Sequence, residues 1–356
     1  MLNIVLIDDV QDVLTEWTTV LTALKGDREL EIRQWLPSNN GETAEDGFNK
    51  NIDPDTVLVI TDYDLSKGGQ NGLRGSAIVN WCNRRLLPVA DYSRDNKARL
   101  PKEPDQYELR ADSNAEKSAP FMLNLFDGFV SLRKSIADDW ENLSKKKSPA
   151  AILAAVLGRP LEESRFALYG VKIGATNLLE TLEEAEDKEN EKQKFMTYLL
   201  GHLLFNVIMR FPGPIVDCHA LAAFLGVNVS ETDKLAETFQ PAKYDGPFGS
   251  KSPYYWLSDV EEVLEGFPDI VEIEGSPSIG RINRLTLEAK FGQLAKHDCP
   301  NRCHGEEGGF ICAFTKKTVC LRTDCSVASN TWIPQGARLC RIEKEYYNEW
   351  APMLGF

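Results

Sequence analysis

The sequence predicts an α/β protein: a doubly wound parallel sheet over about the first 140 residues, then a mainly helical region and a small cysteine-rich end. Three observations predict it. Short β-branched apolar runs alternate with helix-like stretches over residues 1–140, helix-favouring stretches dominate from 141 to about 290, and six of the eight cysteines fall between Cys299 and Cys340. Alternating strand and helix signals are the pattern of a sheet flanked by helices. With 356 residues the chain is long enough for two to three domains, because single cores rarely grow past about 250–300 residues. Hydrophobic residues at 42% and charged residues at 26% exclude a mainly disordered, collagen-like or coiled-coil chain. The opening MLNIVLIDDV turns acidic at Asp8, and no apolar run approaches the roughly 18–20 residues of a membrane span. A cytoplasmic protein without membrane contact is expected.

Taken in order, residues 2–7 (LNIVLI) predict the first strand and 11–25 an amphipathic helix. Residues 29–35 (ELEIRQW), 57–61 (VLVIT) and 86–92 (LLPVADY) predict further strands, with a helix-like 73–85 (LRGSAIVNWCNRR) before the last. In open parallel sheets ligands sit beyond the carboxyl ends of the strands. Asp8 and Asp9 close the first strand and Asp62 closes the third, so these acids fall at the functional edge. Carboxylates about 4 Å apart repel by roughly 4 kcal/mol per pair at an effective dielectric near 20. A hard divalent cation cancels that cost, and Mg²⁺ takes oxygen ligands together with waters and a phosphate. The pattern suits phosphoryl transfer. Helix capping by Asp8 and Asp9, with Asp62 starting a turn, is the alternative role of the same residues.

Two further positions extend the pattern. Ser93 ends the fourth strand, five residues after Pro88, and Lys117 lies in ADSNAEKSAP ahead of a helix-like 121–136. With IVLIDD, ITDYDLS, Asn71-Gly72, PVADYS and EKSAP in that order, the stretch from about 1 to 140 resembles the receiver domain of two-component response regulators. The resemblance implies Asp62 as the phospho-accepting nucleophile, and Asp8, Asp9 and the backbone carbonyl of Asp64 as holders of Mg²⁺. It implies that Lys117 pairs with Asp62 and then with the phosphate, and that Ser93 hydrogen-bonds a phosphate oxygen and draws its loop inward. A histidine kinase is the implied partner. Two departures are visible: Asn114 stands where receivers commonly carry an aromatic, and a polar, Pro-containing stretch over 94–116 replaces a clean helix and strand. The signalling route and dimer face are expected to differ accordingly.

Net charge is −14, and residues 211–290 alone carry 6 basic against 13 acidic side chains. No region has the basic excess that phosphate-dominated nucleic-acid binding uses. Residues 141–211 read as a helical connector. Lys145-Lys146-Lys147 before Ser148-Pro149 suits a helix end, with a basic nucleic-acid patch as the other reading. Residues 196–211 (MTYLLGHLLFNVIMRF) are apolar on nearly all faces, which makes His202 a core histidine.

Within 212–290, IVDCHALAAFLGVNVSETDKLAETF resembles a helix-turn-helix pivoting on Gly226. YYWLSDVEEVLEGF and DIVEIEG supply a helix and a wing strand, giving a winged-helix-like unit. Its second helix carries Glu231, Asp233 and Glu237 against Lys234, so phosphates meet like charge; DNA reading and a packing or protein-contact role both stand. The segment KYDGPFGSKSPYYWL reads as a partner-binding loop or an Ω-loop covering the core.

Residues 291–356 form the cysteine-rich end. Cys299-x3-Cys303 and Cys320-x4-Cys325 have the spacing that brings two pairs of thiolates to one tetrahedral Zn²⁺. His297 or His304 replacing one thiolate, Cys312 or Cys340 in a second site or as buried thiols, free cysteines throughout, and four-thiolate iron–sulfur ligation are the alternatives. The whole reads as a response regulator acting as a phosphorylation-switched adaptor or phosphate sink through a further protein partner. A DNA-binding transcriptional regulator is the alternative, and no motif supports an enzymatic output.

Overall fold

Near-continuous apolar runs make strands that are buried on both faces, and the first unit of the chain is built on them. The computed structural model describes residues 1–37, 43–65, 73–92, 109–170, 189–268, 278–299, 303, 309–329 and 331–352. The chain divides into two compact units: Met1–Lys145 with Thr181–Asn206 and Gly246–Lys251, and Lys146–Glu180 with Val207–Asp245 and Ser252–Phe356.

The first unit runs β1 (Leu2–Ile7), α1 (Gln11–Leu24), β2 (Leu30–Trp35), α2 (Ala44–Asn51), β3 (Thr56–Asp62), α3 (Gly75–Arg84), β4 (Val89–Tyr92), β5 (Leu109–Arg110) and α4 (Ala115–Asp138). Its five strands form one parallel sheet in the order β2-β1-β3-β4-β5. All seven residues of β3 are buried, as a central parallel strand requires. One face of the sheet is closed by Phe48 of α2 and Ile78 and Cys82 of α3, over Val5, Ile7, Val59 and Val89. On α1, Leu14, Trp17 and Leu21 recur at helical spacing as the buried stripe, and α1 packs beside α4.

After α5 (Trp140–Leu143), the helices α6 (Pro149–Val156) and α7 (Glu163–Gly170) belong to the second unit. The chain then returns to the first unit as α8 (Glu189–His202), which packs on α4. Gly201 makes that approach close, since a Cβ there would lie 2.2 Å from the Phe129 ring. Residues read from sequence as connector are therefore partly sheet-domain core. His202 is buried, with Phe129 and Tyr198 rings against it and Asn206 Nδ2 3.2 Å from its Nδ1, which fits the expected core histidine.

In the second unit, β6 (Ile215–Asp217), α9 (Cys218–Leu225), α10 (Thr232–Leu235), β7 (Lys243–Tyr244), β8 (Tyr254–Trp256), α11 (Leu257–Glu265) and α12 (Ile279–Phe291) surround a three-stranded antiparallel sheet ordered β6-β8-β7. Gly226 caps α9 at φ 66°, where a Cβ would strike the Gly280 backbone 2.1 Å away, so the tight turn is real. The second helix of the expected helix-turn-helix shrinks to the four residues of α10. The 3₁₀ turn Val229–Glu231, capped by Asn228, takes up the preceding residues, and Leu235 and Phe239 anchor the segment in the core. The expected wing strand, 269–275, lies outside the described residues.

The end of the chain adds β9 (Phe310–Cys312), β10 (Thr318–Val319), β11 (Ser326–Val327), β12 (Cys340–Glu343) and α13 (Lys344–Trp350), in a four-stranded sheet ordered β10-β9-β12-β11. Among the described residues no helix is long and apolar enough to cross a membrane.

Candidate functional site

In a sheet ordered 2-1-3-4-5, the crossovers leaving β1 and β3 diverge to opposite faces, and the crevice between those strand ends is where ligands bind. The buried acids lie there. Asp8, Asp9 and Asp62 are each less than a tenth exposed, and one carboxylate oxygen of each lies within 4.8 Å of the others. At that separation, and at an effective dielectric near 20, each pair of charges costs on the order of 3 kcal/mol. An oxygen-only donor set of this kind suits a hard cation such as Mg²⁺ rather than a thiophilic one.

Each acid is held by its element. The N–H of Val10, at the start of α1, donates to Asp8 Oδ1 at 2.8 Å, and the Tyr92 hydroxyl donates to Asp8 Oδ2. Tyr92 is itself fixed by stacking on Trp17 of α1, with ring centroids 5.2 Å apart, and its carbonyl accepts the Tyr63 N–H at 2.8 Å. The Asp64 N–H donates to Asp62 Oδ1 at 3.1 Å. Beneath the end of β3, the Gly75 N–H bonds the Tyr63 carbonyl, and a Cβ on Gly75 would fall 2.2 Å from the Asp62 carbonyl oxygen. Only glycine lets α3 start this close to the Asp62 backbone.

Ser93, Asn71 and Gly72 lie outside the described residues. Lys117 sits at the third position of α4 with its side chain exposed; its N–H takes the cap from Asn114 Oδ1 at 2.9 Å. The helix begins earlier than 121 because Asn114 is a good N-cap, and EKSAP is thereby drawn into it. The cation that ends a strand is Arg110, half-buried on β5 and paired in register with Asp91 of β4. Sequence reasoning missed Tyr92, whose readable sign was a hydroxyl-bearing ring at the carboxyl end of the strand VADY.

A second group converges in the end domain. Cys299, Cys303, Cys320 and Cys325 bring one sulfur each within 4.8 Å of one another, and the last three are buried. Cys299 Sγ is 3.7 Å from Cys303 Sγ and 3.4 Å from Cys325 Sγ. His297 stands apart from them in its bonding: Nδ1 accepts the Gly309 N–H at 2.8 Å and Nε2 lies 3.0 Å from Thr318 Oγ1. His304 lies outside the described residues. Cys312 accepts the Glu343 N–H at 3.3 Å, and burial pushes the Cys340 thiol far up, as for an inert core cysteine.

No family model matches the chain, and no curated protein matches it. Among solved structures, RcsB from Salmonella enterica serovar Typhimurium, bound to promoter rprA in the presence of phosphomimetic BeF3−, aligns with 55% of this chain and 98% of its own. Identity is 14% and the TM-score 0.24, a likeness that carries no weight for fold or role. What the chain itself displays is a five-stranded parallel sheet with helices on both faces, which fits a receiver domain.

Proposed function

We propose that the chain is a response regulator whose first unit accepts a phosphoryl group on Asp62 from a histidine kinase. The observation that carries this reading is the convergence of three buried carboxylates at the β1–β3 crevice. Asp8, Asp9, Asp62 and the main-chain carbonyl of Asp64 would hold Mg²⁺, which neutralises charge on the phosphoryl oxygens when bound. The Asp64 N–H holds the Asp62 carboxylate through Oδ1, and Oδ2 would be the attacking oxygen. Oδ2 attacks phosphorus, a P–O bond forms as the P–N bond of the phosphohistidine breaks, and the imidazole leaves with a solvent proton. Ser93 serves as the hydroxyl that reads the phosphate.

The output acts through protein contact, as an adaptor or a phosphate sink. The second helix of the helix-turn-helix is a single turn, too short to lie along a major groove, and its lysine, Lys234, is engaged by Glu231 at 2.8 Å. The surrounding residues 211–290 are acidic.

The test is intact-mass analysis after incubation with acetyl phosphate and Mg²⁺. Wild type should gain one phosphate, beryllofluoride should block the gain, and Asp62→Asn should show none. A wild type that gains nothing, or an Asp62→Asn variant that gains as much, overturns the reading.

A further inference from the structure

Cysteines gathered in a small sheet have three ordinary fates: disulfides, inert core thiols or metal ligands. Sulfurs in a disulfide lie about 2.05 Å apart, and none of the eight cysteines forms one. Inert thiols need no common focus, yet four of the six in this region share one and the other two do not. A tetrahedron of sulfurs around one ion with bonds of about 2.3 Å has edges of about 3.8 Å. The Cys299–Cys303 separation of 3.7 Å matches such an edge, and the Cys299–Cys325 separation of 3.4 Å is somewhat shorter than one. Polynuclear iron–sulfur clusters spread their cysteines over several irons and hold the sulfurs farther apart.

We propose that Cys299, Cys303, Cys320 and Cys325 bind one structural zinc ion as four thiolates, with Arg341 as the positioning cation behind them, and that His297, Cys312 and Cys340 are not ligands.

The neighbourhood is built for thiolates. Four of them around Zn²⁺ leave a net charge of −2, which a buried site tolerates only with compensation. Arg341 supplies it. The guanidinium is half-buried and close enough to feel the charge of Cys320 and Cys325. It is held in place by Nε donating to Ser326 Oγ at 2.6 Å, while Ser326 Oγ in turn bonds the Cys320 carbonyl. The Cys320 N–H points to Cys325 Sγ at 3.4 Å, across a turn closed by the Cys325 and Ser326 N–H groups on the Arg322 carbonyl. Both ring nitrogens of His297 are in use elsewhere. The core around the site consists largely of the cysteines themselves, with Val319, Phe310 and Phe314. An ion therefore stands where a larger domain would have apolar side chains, and it ties Cys299 and Cys303 to the sheet of β9–β12.

The test is elemental analysis of the full chain purified without chelator or added metal. One zinc per chain is expected, with four thiols released in step with zinc on titration with a mercurial. Cys312→Ala, Cys340→Ala and His297→Gln should each keep one zinc, and Cys325→Ser should fall below one tenth. If Cys325→Ser does not fold, cobalt exchange into wild type decides instead, since tetrahedral tetrathiolate cobalt has its own absorption signature. Arg341→Met should still bind one zinc but surrender it to a competing chelator about ten-fold faster. Wild type without zinc, iron in its place, cobalt spectra of an octahedral or mixed site, or equal metal loss in the Cys312 and Cys340 variants overturns the proposal. None of these outcomes bears on phosphorylation of Asp62.

Discussion

Tyr92 touches more of the acidic crevice than any residue read from the sequence. Its hydroxyl holds Asp8, its carbonyl holds Tyr63 beside Asp62, and its ring lies on Trp17. The ends of β1, β3 and β4 thus meet at one residue. Outer partners that orient metal-binding groups typically cost 10–100-fold in metal affinity when removed. Tyr92→Phe keeps the stacking ring and deletes the donor to Asp8, so it should weaken Mg²⁺ binding about ten-fold while costing only about 1 kcal/mol of stability. A Mg²⁺ titration of phosphorylation rate, set beside a urea midpoint, reads both. An unchanged Mg²⁺ dependence refutes the assignment. At this scale the sequence was informative where chemistry demanded a residue type directly after a strand, as with Asp8, Asp9 and Asp62. It was silent where the role depends on a partner distant in the chain, because 84 residues separate Tyr92 from Asp8.

At the scale of elements, the start of α3 and the start of β3 hold the strand that ends in Asp62. Gly75 admits the α3 backbone against Asp62 and Tyr63, and a methyl there has nowhere to go except into main chain. Gly75→Ala should cost about 1–3 kcal/mol as overpacking and should also lower phosphoryl uptake, because the displaced atoms belong to the Asp62 peptide. A urea midpoint together with intact mass checks it. At the other end of β3, Asp53 turns the chain by accepting from the Asn3 amide at 3.1 Å, the Asp55 N–H and the Thr56 hydroxyl, and it pairs with Arg33. Desolvation is the largest single influence and raises its pKa, but the hydrogen bonds from Arg33, Asn3 and the Asp55 N–H together outweigh it and hold the carboxyl down at about 2. A depressed carboxyl stabilises the fold above its unfolded value near 4 and loses that contribution as pH falls through about 2. Asp53→Asn should therefore flatten the decline in stability between about pH 4 and pH 2, measured by urea unfolding; a decline equal to that of wild type counts against it. The strands and long helices here were legible because their periodicity spans many residues. The two-residue β5 and the eight-residue α2 were not, being too short and too polar to carry a period, and the long helix starts earlier than 121 because a capping asparagine three residues before Lys117 draws EKSAP into it.

For the whole molecule, composition and charge indicated a folded acidic chain, but the order of segments did not reveal how they group. Residues 189–206 read as connector because their apolar stretch has no visible partner in the sequence; in space they join the first unit. Cores show the same division. One is built on β1, β3 and β4, another on α9 with Leu235, Phe239 and Leu287, and a third on the cysteines. Units with separate cores and separate candidate metal sites should melt as separate cooperative events. Calorimetry of the full chain should then show two transitions. Mg²⁺ with beryllofluoride at about 100 times its dissociation constant should add about 2.7 kcal/mol to the unit that binds it, raising that transition by roughly 5–10 °C and leaving the other in place. Stripping zinc with a strong chelator should lower only the transition that beryllofluoride does not move. A single transition shifted by both treatments would show that the two units unfold as one and that neither metal stabilises its own unit independently.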